Sequence, residues 1–423
     1  MVKFERKICI DLDSIAYFLS VFVSIKTYKI NNLARLTYKG CDIGRHTMSL
    51  SQRGKLSTKY KLVFFLNFIR IFIHSLSIIT QGYRVKQNID AAFIDHGVYI
   101  NGLLMQLLLN HNIPVYYHAY PYSLSCITPK KDYSLKFEDI VKLRRDNIRP
   151  GNFHHTEKRV NSILKDPNLI PYMDVDMERN LKDFKNTDYV LYLHFFTDSQ
   201  LYYGFDGFKG IYDWTIFTID SLLKINKSVS VKAHPLYFMR KRENSLLQDW
   251  DREIFQSIVN RYKDNKLVSF IRTPISNYNY LSQLDSQKTI LITHHSNSIL
   301  EGEYLGFKSI SSICSPWGGV FDVSNVWRNK EEYWNLLQSD VCNLATPNHN
   351  EIIKCYSSLF DIDSGFYSNN FYQEIISEIF NVDRKSTSRN QEVIRGSDSQ
   401  FSKAINKIKK TISVRRLDEF SQR

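Results

Sequence analysis

A chain of 423 residues is long for one domain and comfortable for two. With 43% hydrophobic and 14% aromatic residues it reads as a globular protein with ample core. The net charge of +13 favours anionic partners: nucleic acid, phosphorylated substrates or an anionic membrane surface. Six scattered cysteines, with no CxxC pair and no zinc-like Cys/His spacing, exclude a cysteine-built metal module and fit a reducing cytoplasm.

From the N-terminus, the apolar stretch Ile15 to Ile25 follows Asp11 and Asp13 and is not trailed by a small-residue cleavage site, so it does not read as a signal peptide. Leu62 to Thr80 is the one transmembrane candidate. Asn67, Arg70 and His74 share one of its helical faces, which predicts an amphipathic or buried helix instead. The region Lys26 to Tyr60 is basic and weakly patterned, and no element is assigned to it. Ala91 to His118 reads as a βαβ unit: strand Ala91 to Ile94, turn Asp95-His96-Gly97, helix Val98 to Asn110, and a strand from Pro114. Lys130 to Met177 is polar and broken by Pro150-Gly151, Pro167 and Pro171, as a connector would be. Residues 1–182 are therefore expected to form an N-terminal, acceptor-side Rossmann-like domain with its connector.

Residues 183–383 are expected to form a second Rossmann-like domain. Its predicted strands are Asp188 to Phe196, Ser228 to Ala233, Leu267 to Ile271, Thr289 to Thr293 and Ser309 to Ile313. Its predicted helices are Tyr212 to Leu223, Asp249 to Tyr262, Ile275 to Gln283 and Ser298 to Leu305, the last ended by Gly306. Strand and helix alternate as in a doubly wound sheet. The chain closes with residues 384–423. A polar linker there leads to a basic amphipathic helix with Phe401, Ile405, Ile408 and Ile412 on one face. This tail carries seven of the thirteen net positive charges. It suits docking to an anionic membrane surface, and equally packing on protein. A body without an obvious basic stripe argues against a nucleic-acid partner.

Ligands of doubly wound sheets sit beyond the carboxyl ends of the strands. Three loops carry polar groups there: Asp198-Ser199-Gln200, Lys232-Ala233-His234-Pro235, and His294-His295-Ser296-Asn297-Ser298 with Glu301. The last opens a helix, where backbone N–H groups and the dipole favour phosphate. Ser298 and Glu301 also match a capping box, which needs no ligand. Glu301 is placed to accept from a ribose diol. His234, before Pro235, is a donor to phosphate or a developing oxyanion, although His-Pro pairs are common in turns. Lys232 either joins it or faces solvent. Asp198 is a base or transient nucleophile at an anomeric carbon, or an ordinary turn aspartate. Asp95 and His96 hold the equivalent place in the first unit, where Asp95 is a candidate acceptor base.

The order DSQ (Asp198 to Gln200), V-K-x-H-P (Val231 to Pro235) and S-x-S-x-x-E-x-x-x-x-G (Ser296 to Gly306) resembles the bacterial capsule polysaccharide biosynthesis glycosyltransferases, which include Kdo transferases. The matching stretch runs from Asp188 to Ile313. The resemblance implies a GT-B fold, α/β with two Rossmann-like domains facing a cleft and the donor bound by the second. It implies Asp198 as the active-site carboxylate and His234 as a donor contact. Ser296, Ser298 and Glu301 stand in the family's serine loop. It implies no cofactor and no metal, only a nucleotide-sugar co-substrate, CMP- or UDP-linked. His194-Phe195-Phe196-Thr197 and Gly306-Phe307-Lys308 depart from the family pattern, and both bear on donor choice.

The expected activity is transfer of a sugar, in the Kdo case from CMP-Kdo, to a lipid-linked or growing surface glycan of the capsule or lipopolysaccharide O-antigen type. The expected location is the cytoplasmic side of the inner membrane. The alternatives are a CDP-polyol phosphotransferase of surface-polymer synthesis and a non-catalytic basic membrane- or nucleic-acid-binding protein.

Overall fold

The computed structural model describes residues 9–24, 30–52, 61–89, 92–94, 99–113, 115–119, 123–127, 153–165, 187–197, 201, 204–237, 246–272 and 275–360. The expected domain boundary near residue 182 and the tail 384–423 lie outside them.

The N-terminal part is a helical layer beside a small sheet. Its helices are α1 (Leu12–Ser24), α2 (Ile30–Ala34), α3 (Ile43–Ser51) and α4 (Lys61–Val85). The anticipated βαβ unit is present: β1 (Ala92–Ile94), α5 (Tyr99–Asn110) and β2 (Val115–Ala119), with β1 and β2 parallel. A third strand, β3 (Ser123–Ile127), adds antiparallel to β2 and was not anticipated.

Helix α4 is long and apolar enough to cross a membrane by length and composition. Phe64, Phe68, Phe72, Leu76 and Ile79, spaced three or four apart, are buried in the core that α4 shares with α3 and α5. The region for which no element was expected contains α2 and α3. Hydropathy misses α3 because its buried face is polar: Arg45, His46, Thr47, Ser49 and Ser51 are all buried. Local bonds explain part of this, with Arg45 paired to Asp42 at 2.8 Å and Ser51 Oγ donating to the Thr47 carbonyl at 2.6 Å.

Beyond α6 (His154–Lys165) lies a six-stranded, wholly parallel sheet. Its strands are β4 (Tyr189–Tyr192), β5 (Val229–Lys232), β6 (Val268–Ile271), β7 (Ile290–Thr293), β8 (Lys308–Ser312) and β9 (Asn325–Trp327). The spatial order is β6-β5-β4-β7-β8-β9. The chain thus steps outward from β4 to β6, returns to β7 on the other side of β4, and steps outward again. That is the doubly wound Rossmann order, with its switch point between β4 and β7.

Both faces are covered, as a parallel sheet requires. On one face, α7 (Ile211–Lys224), α8 (Leu246–Tyr262) and α11 (Lys330–Gln338) bury Trp214, Ile219, Ile258, Tyr333 and Leu337 with Leu191 and Ile292. On the other, α9 (Asn277–Leu281), α10 (Ser298–Tyr304) and α12 (His349–Phe360) bury Tyr280, Ile299, Leu300 and Ile353 with Val190 and Leu291. Gly302 lets α10 lie directly on β7, since a Cβ there would meet Leu291 Cδ1 at 2.1 Å. Gly306 ends α10 at φ +89°, the left-handed conformation glycine adopts without strain.

The predicted strand Asp188 to Phe196 is shorter than expected. It stops at Tyr192 because its neighbours stop there: Tyr192 registers with Lys232 on β5 and with Thr293 on β7. The apolar run continues as a loop over the strand mouth.

Candidate active site at the switch point

The loop that leaves β4 is held from beneath by α8. Asp251, 1% exposed, accepts from the Phe196 amide at 2.6 Å, the Thr197 amide at 3.1 Å and Thr197 Oγ1 at 2.7 Å. Tyr237 donates its hydroxyl to the His194 carbonyl at 2.6 Å and stacks on Phe196. These anchors fix the chain up to Thr197, immediately before Asp198. Asp198, Ser199 and Gln200 themselves lie outside the described residues, as do Asp95 and His96.

The ends of β4, β5 and β7 converge on a histidine cluster. Past the end of β4, His194 lies tilted against His295, after β7, at 4.2 Å and edge-on to His234, after β5, at 5.8 Å. Phe195 lies against His234 at 4.4 Å. His194, Phe195, His234, Ser296 and Ser298 are half-buried, and His295 is buried. Burial, with His194 and Lys232 nearby, pushes the His234 imidazole down to about 3. Burial, with His194 and His294 nearby, holds His295 well below its ordinary value. Both rings are therefore neutral at physiological pH.

Lys232 does not face solvent. It is 6% exposed, with its ammonium 5.6 Å from the centroid of the Tyr192 ring. Burial pushes its pKa down to about 8, against the pull of Glu301. Glu301 sits one turn into α10, and burial raises its carboxyl despite the Asn277 bond and Lys232. Asn277 Nδ2 donates to Glu301 Oε2 at 2.6 Å. Each thus acts on the other's charge: Glu301 pulls Lys232 up and Lys232 pulls Glu301 down, both against burial.

The capping box is not formed. Asn297 holds the N-cap position without a side-chain cap bond, and Ser298 Oγ lies 3.3 Å from Ser296 Oγ. Glu301 is turned to Asn277 instead. Part of the expected backbone phosphate cradle is engaged within the loop. The Ser296 amide donates to Thr293 Oγ1 at 3.0 Å, Ile299 to the Ser296 carbonyl at 3.1 Å and Leu300 to the Asn297 carbonyl at 3.0 Å. These three donors close the loop's own turn.

His294 follows directly on the end of β7, its ring edge-on to that of His295 at 5.0 Å. It is buried edge-on to Trp214 and Trp327. Its Nε2 lies 3.0 Å from Asp206 Oδ2, and its Nδ1 lies 2.8 Å from His295 Nδ1. The structure therefore commits His294 to the interior, and its expected direct contact with a donor is corrected. Burial alone would raise the Asp206 carboxyl, but His294, Ser312 and the Phe208 amide hold it below its ordinary value.

His194, Asp206, Asp251 and Asn277 were not among the residues read as functional. The segment around His194 read as the end of a strand and, only through its departure from the family pattern, as bearing on donor choice; no role was read for Asp206, Asp251 or Asn277. Among the described residues, no three His, Cys, Asp or Glu side chains are grouped to hold a metal ion.

No family model matches this chain, and no curated protein does. Solved structures with some likeness include Thermosulfurimonas dismutans KpsC, a beta Kdo 2,4 transferase, at 13% identity and TM-score 0.37, over 63% of this chain and 78% of that one. Methanocaldococcus jannaschii UDP-GlcNAc 2-epimerase, solved with UDP-GlcNAc and UDP, aligns at 12% identity and TM-score 0.29, over 73% and 94%. Anabaena Alr3699/HepE, solved with UDP and glucose, aligns at 9% identity and TM-score 0.30, over 72% and 66%. These scores fall short of a shared-fold level, and the fold assignment stands on the strand order itself.

Proposed function

We propose that this chain is a glycosyltransferase that binds a nucleotide-sugar donor at the β4/β7 switch point. The observation that carries the reading is the convergence of Lys232, His234, His295 and Glu301 on the mouth of three adjacent strands. A buried ammonium and half-buried imidazoles attract a phosphate group, because an anion relieves the desolvation of the lysine. Glu301 is suited to a pair of ribose hydroxyls, with Asn277 holding one of its oxygens. In sequence, Asp198 follows directly on the segment clamped by Asp251. Its proposed role is the carboxylate nearest the anomeric carbon.

In this reading the N-terminal residues supply the acceptor side of a GT-B frame, with Asp95 as the acceptor base. The acceptor is a growing or lipid-linked surface glycan, and the donor is CMP- or UDP-linked. The test is transfer from a panel of CMP-, CDP- and UDP-linked donors by the wild type and by Asp198→Ala and His234→Ala. Each variant is expected to lose at least tenfold in turnover with the donor that works. Full activity in both variants would refute the reading. Turnover only with a CDP-polyol would replace it with polyol-phosphate transfer.

A further inference from the structure

We infer that the outer face of α1, together with the start of α4, is a docking surface for an anionic lipid bilayer. Helix α1 is apolar on two sides. Its inner side packs on α4: Ser14 Oγ lies 2.9 Å from Thr80 Oγ1, and the Tyr17 and Phe18 rings lie 6.1 and 6.4 Å from that of Phe72. Its outer side carries Leu12, Ile15, Leu19, Phe22 and Val23, between 44% and 83% exposed. Leu12, Ile15, Leu19 and Phe22 follow one another at spacings of three and four, so they form one stripe along the helix, with Val23 beside it.

The stripe continues onto α4. The two helices run antiparallel, since Ser14 meets Thr80 while Phe18, further along α1, meets Phe72. The end of α1 therefore lies beside the start of α4, and Val21 shares a core cluster with Phe64 and Phe68. On that same first part of α4, Leu62 and Leu66 are 72% and 60% exposed, one turn apart. Side chains this exposed line no groove for a peptide. They project, as the apolar face of an interfacial helix projects into lipid.

The geometry is that of a helix lying in the headgroup layer. With 13 residues α1 is about 20 Å long, short of the roughly 30 Å of a bilayer's hydrocarbon core. Helix α4 is long enough, but Phe64, Phe68 and Phe72 tie it into the protein core.

Charge selects the occupant. Residues 1–89 hold fifteen Lys and Arg against four Asp and Glu, whereas residues 90–383 are net acidic. Arg70, one turn beyond Leu66 on α4, is exposed, and so is Arg35. A second copy of the chain would bring two such basic layers face to face, and like charges repel. The basic tail 384–423 is disfavoured on this face for the same reason. A nucleic acid would answer the charge but not the stripe, whose Leu, Ile and Val side chains offer bases little to stack on. An anionic bilayer answers both: its headgroups attract the Lys and Arg, and its acyl boundary takes the apolar side chains.

The test is co-sedimentation of the full-length protein with vesicles of phosphatidylcholine and phosphatidylglycerol, against vesicles of phosphatidylcholine alone. The wild type is expected to bind the anionic vesicles, and more weakly as salt is raised. A Leu19→Ser, Val23→Ser, Leu62→Ser triple variant replaces only exposed side chains and is expected to lose at least tenfold in vesicle affinity. Leu19→Trp keeps the face apolar. It should still bind, and its added indole should be quenched by brominated acyl chains beyond the quenching seen in the wild type. No binding of the wild type, equal binding by the triple variant, or an unquenched indole at position 19 overturns the inference. So does a loss of binding in Ile405→Ser, Ile408→Ser that the triple variant does not share, which would assign docking to the tail. A wild-type dimer in light scattering that the triple variant abolishes would make the face a contact between copies, and overturns it too. Vesicle binding is read without donor or acceptor, so failure of the transferase reading would leave this result standing.

Discussion

Lys232 is the residue at which structure and function pull hardest against each other. Its folded-state pKa of about 8 lies below the unfolded lysine value of roughly 10.4. The penalty of burying the charge is fully present below pH 8 and is relieved as pH rises toward the unfolded value. A drop of about 2.4 pKa units corresponds to about 3.3 kcal/mol at most. Lys232→Met is therefore expected to raise the melting temperature of the ligand-free protein at pH 7, by several degrees. The gain should shrink steadily as pH is raised from 8 toward 10. Thermal melts across that range check both the sign and the window. A variant less stable than wild type at pH 7 would show that Lys232 is a structural lysine and not one held for a ligand.

The sequence could not reveal this burial. V-K-x-H-P shows alternation, which on an edge or half-covered strand would send Lys232 to solvent. Only the sheet order reveals that β5 lies between β4 and β6, with both faces covered. Glu301 was legible as a choice between a cap and a ligand contact. The cap is ruled out by the bond to Asn277, which lies on another helix and was invisible to local reading. Asp206 is a stronger case. It lies in a Gly/aromatic segment with the look of a turn, and its partners His294, Ser312 and Trp327 come from three later elements.

At the scale of elements, the parallel strands were readable because each is a short apolar run that both faces bury. The helices that cover them were readable from their apolar spacing. The ends were less so. The run from Asp188 continues apolar to Phe196, yet the ladder has no strand to pair with beyond Tyr192. What turns the remainder into a loop is the Asp251 clamp. Asp251→Ala would leave two buried amides and one buried hydroxyl unsatisfied. At about 1–3 kcal/mol for each orphaned donor, a loss of at least 3 kcal/mol is expected. Urea unfolding measures it as a lower midpoint at unchanged slope. A loss under 1 kcal/mol would mean that the loop is held by Tyr237 and the aromatic packing instead.

At the scale of the molecule, the doubly wound sheet was foreseen and is present, and the polar loops after β5 and β7 flank the end of β4 at its switch point. The N-terminal part was only half legible. Its βαβ unit followed the expected pattern, but α3 hides a polar buried face and β3 reverses the sheet direction. Apolar side chains Leu12, Ile15, Leu19 and Phe22 are exposed on α1, a feature that period and composition do not predict. The switch-point crevice is proposed to hold the nucleotide of a sugar donor. Calorimetric titration of CMP, CDP and UDP into the wild type and into Lys232→Met tests it most directly. One nucleotide is expected to bind the wild type saturably and to lose at least tenfold in affinity for the variant. No binding of any nucleotide to the wild type, or equal affinity in the two proteins, would contradict the claim.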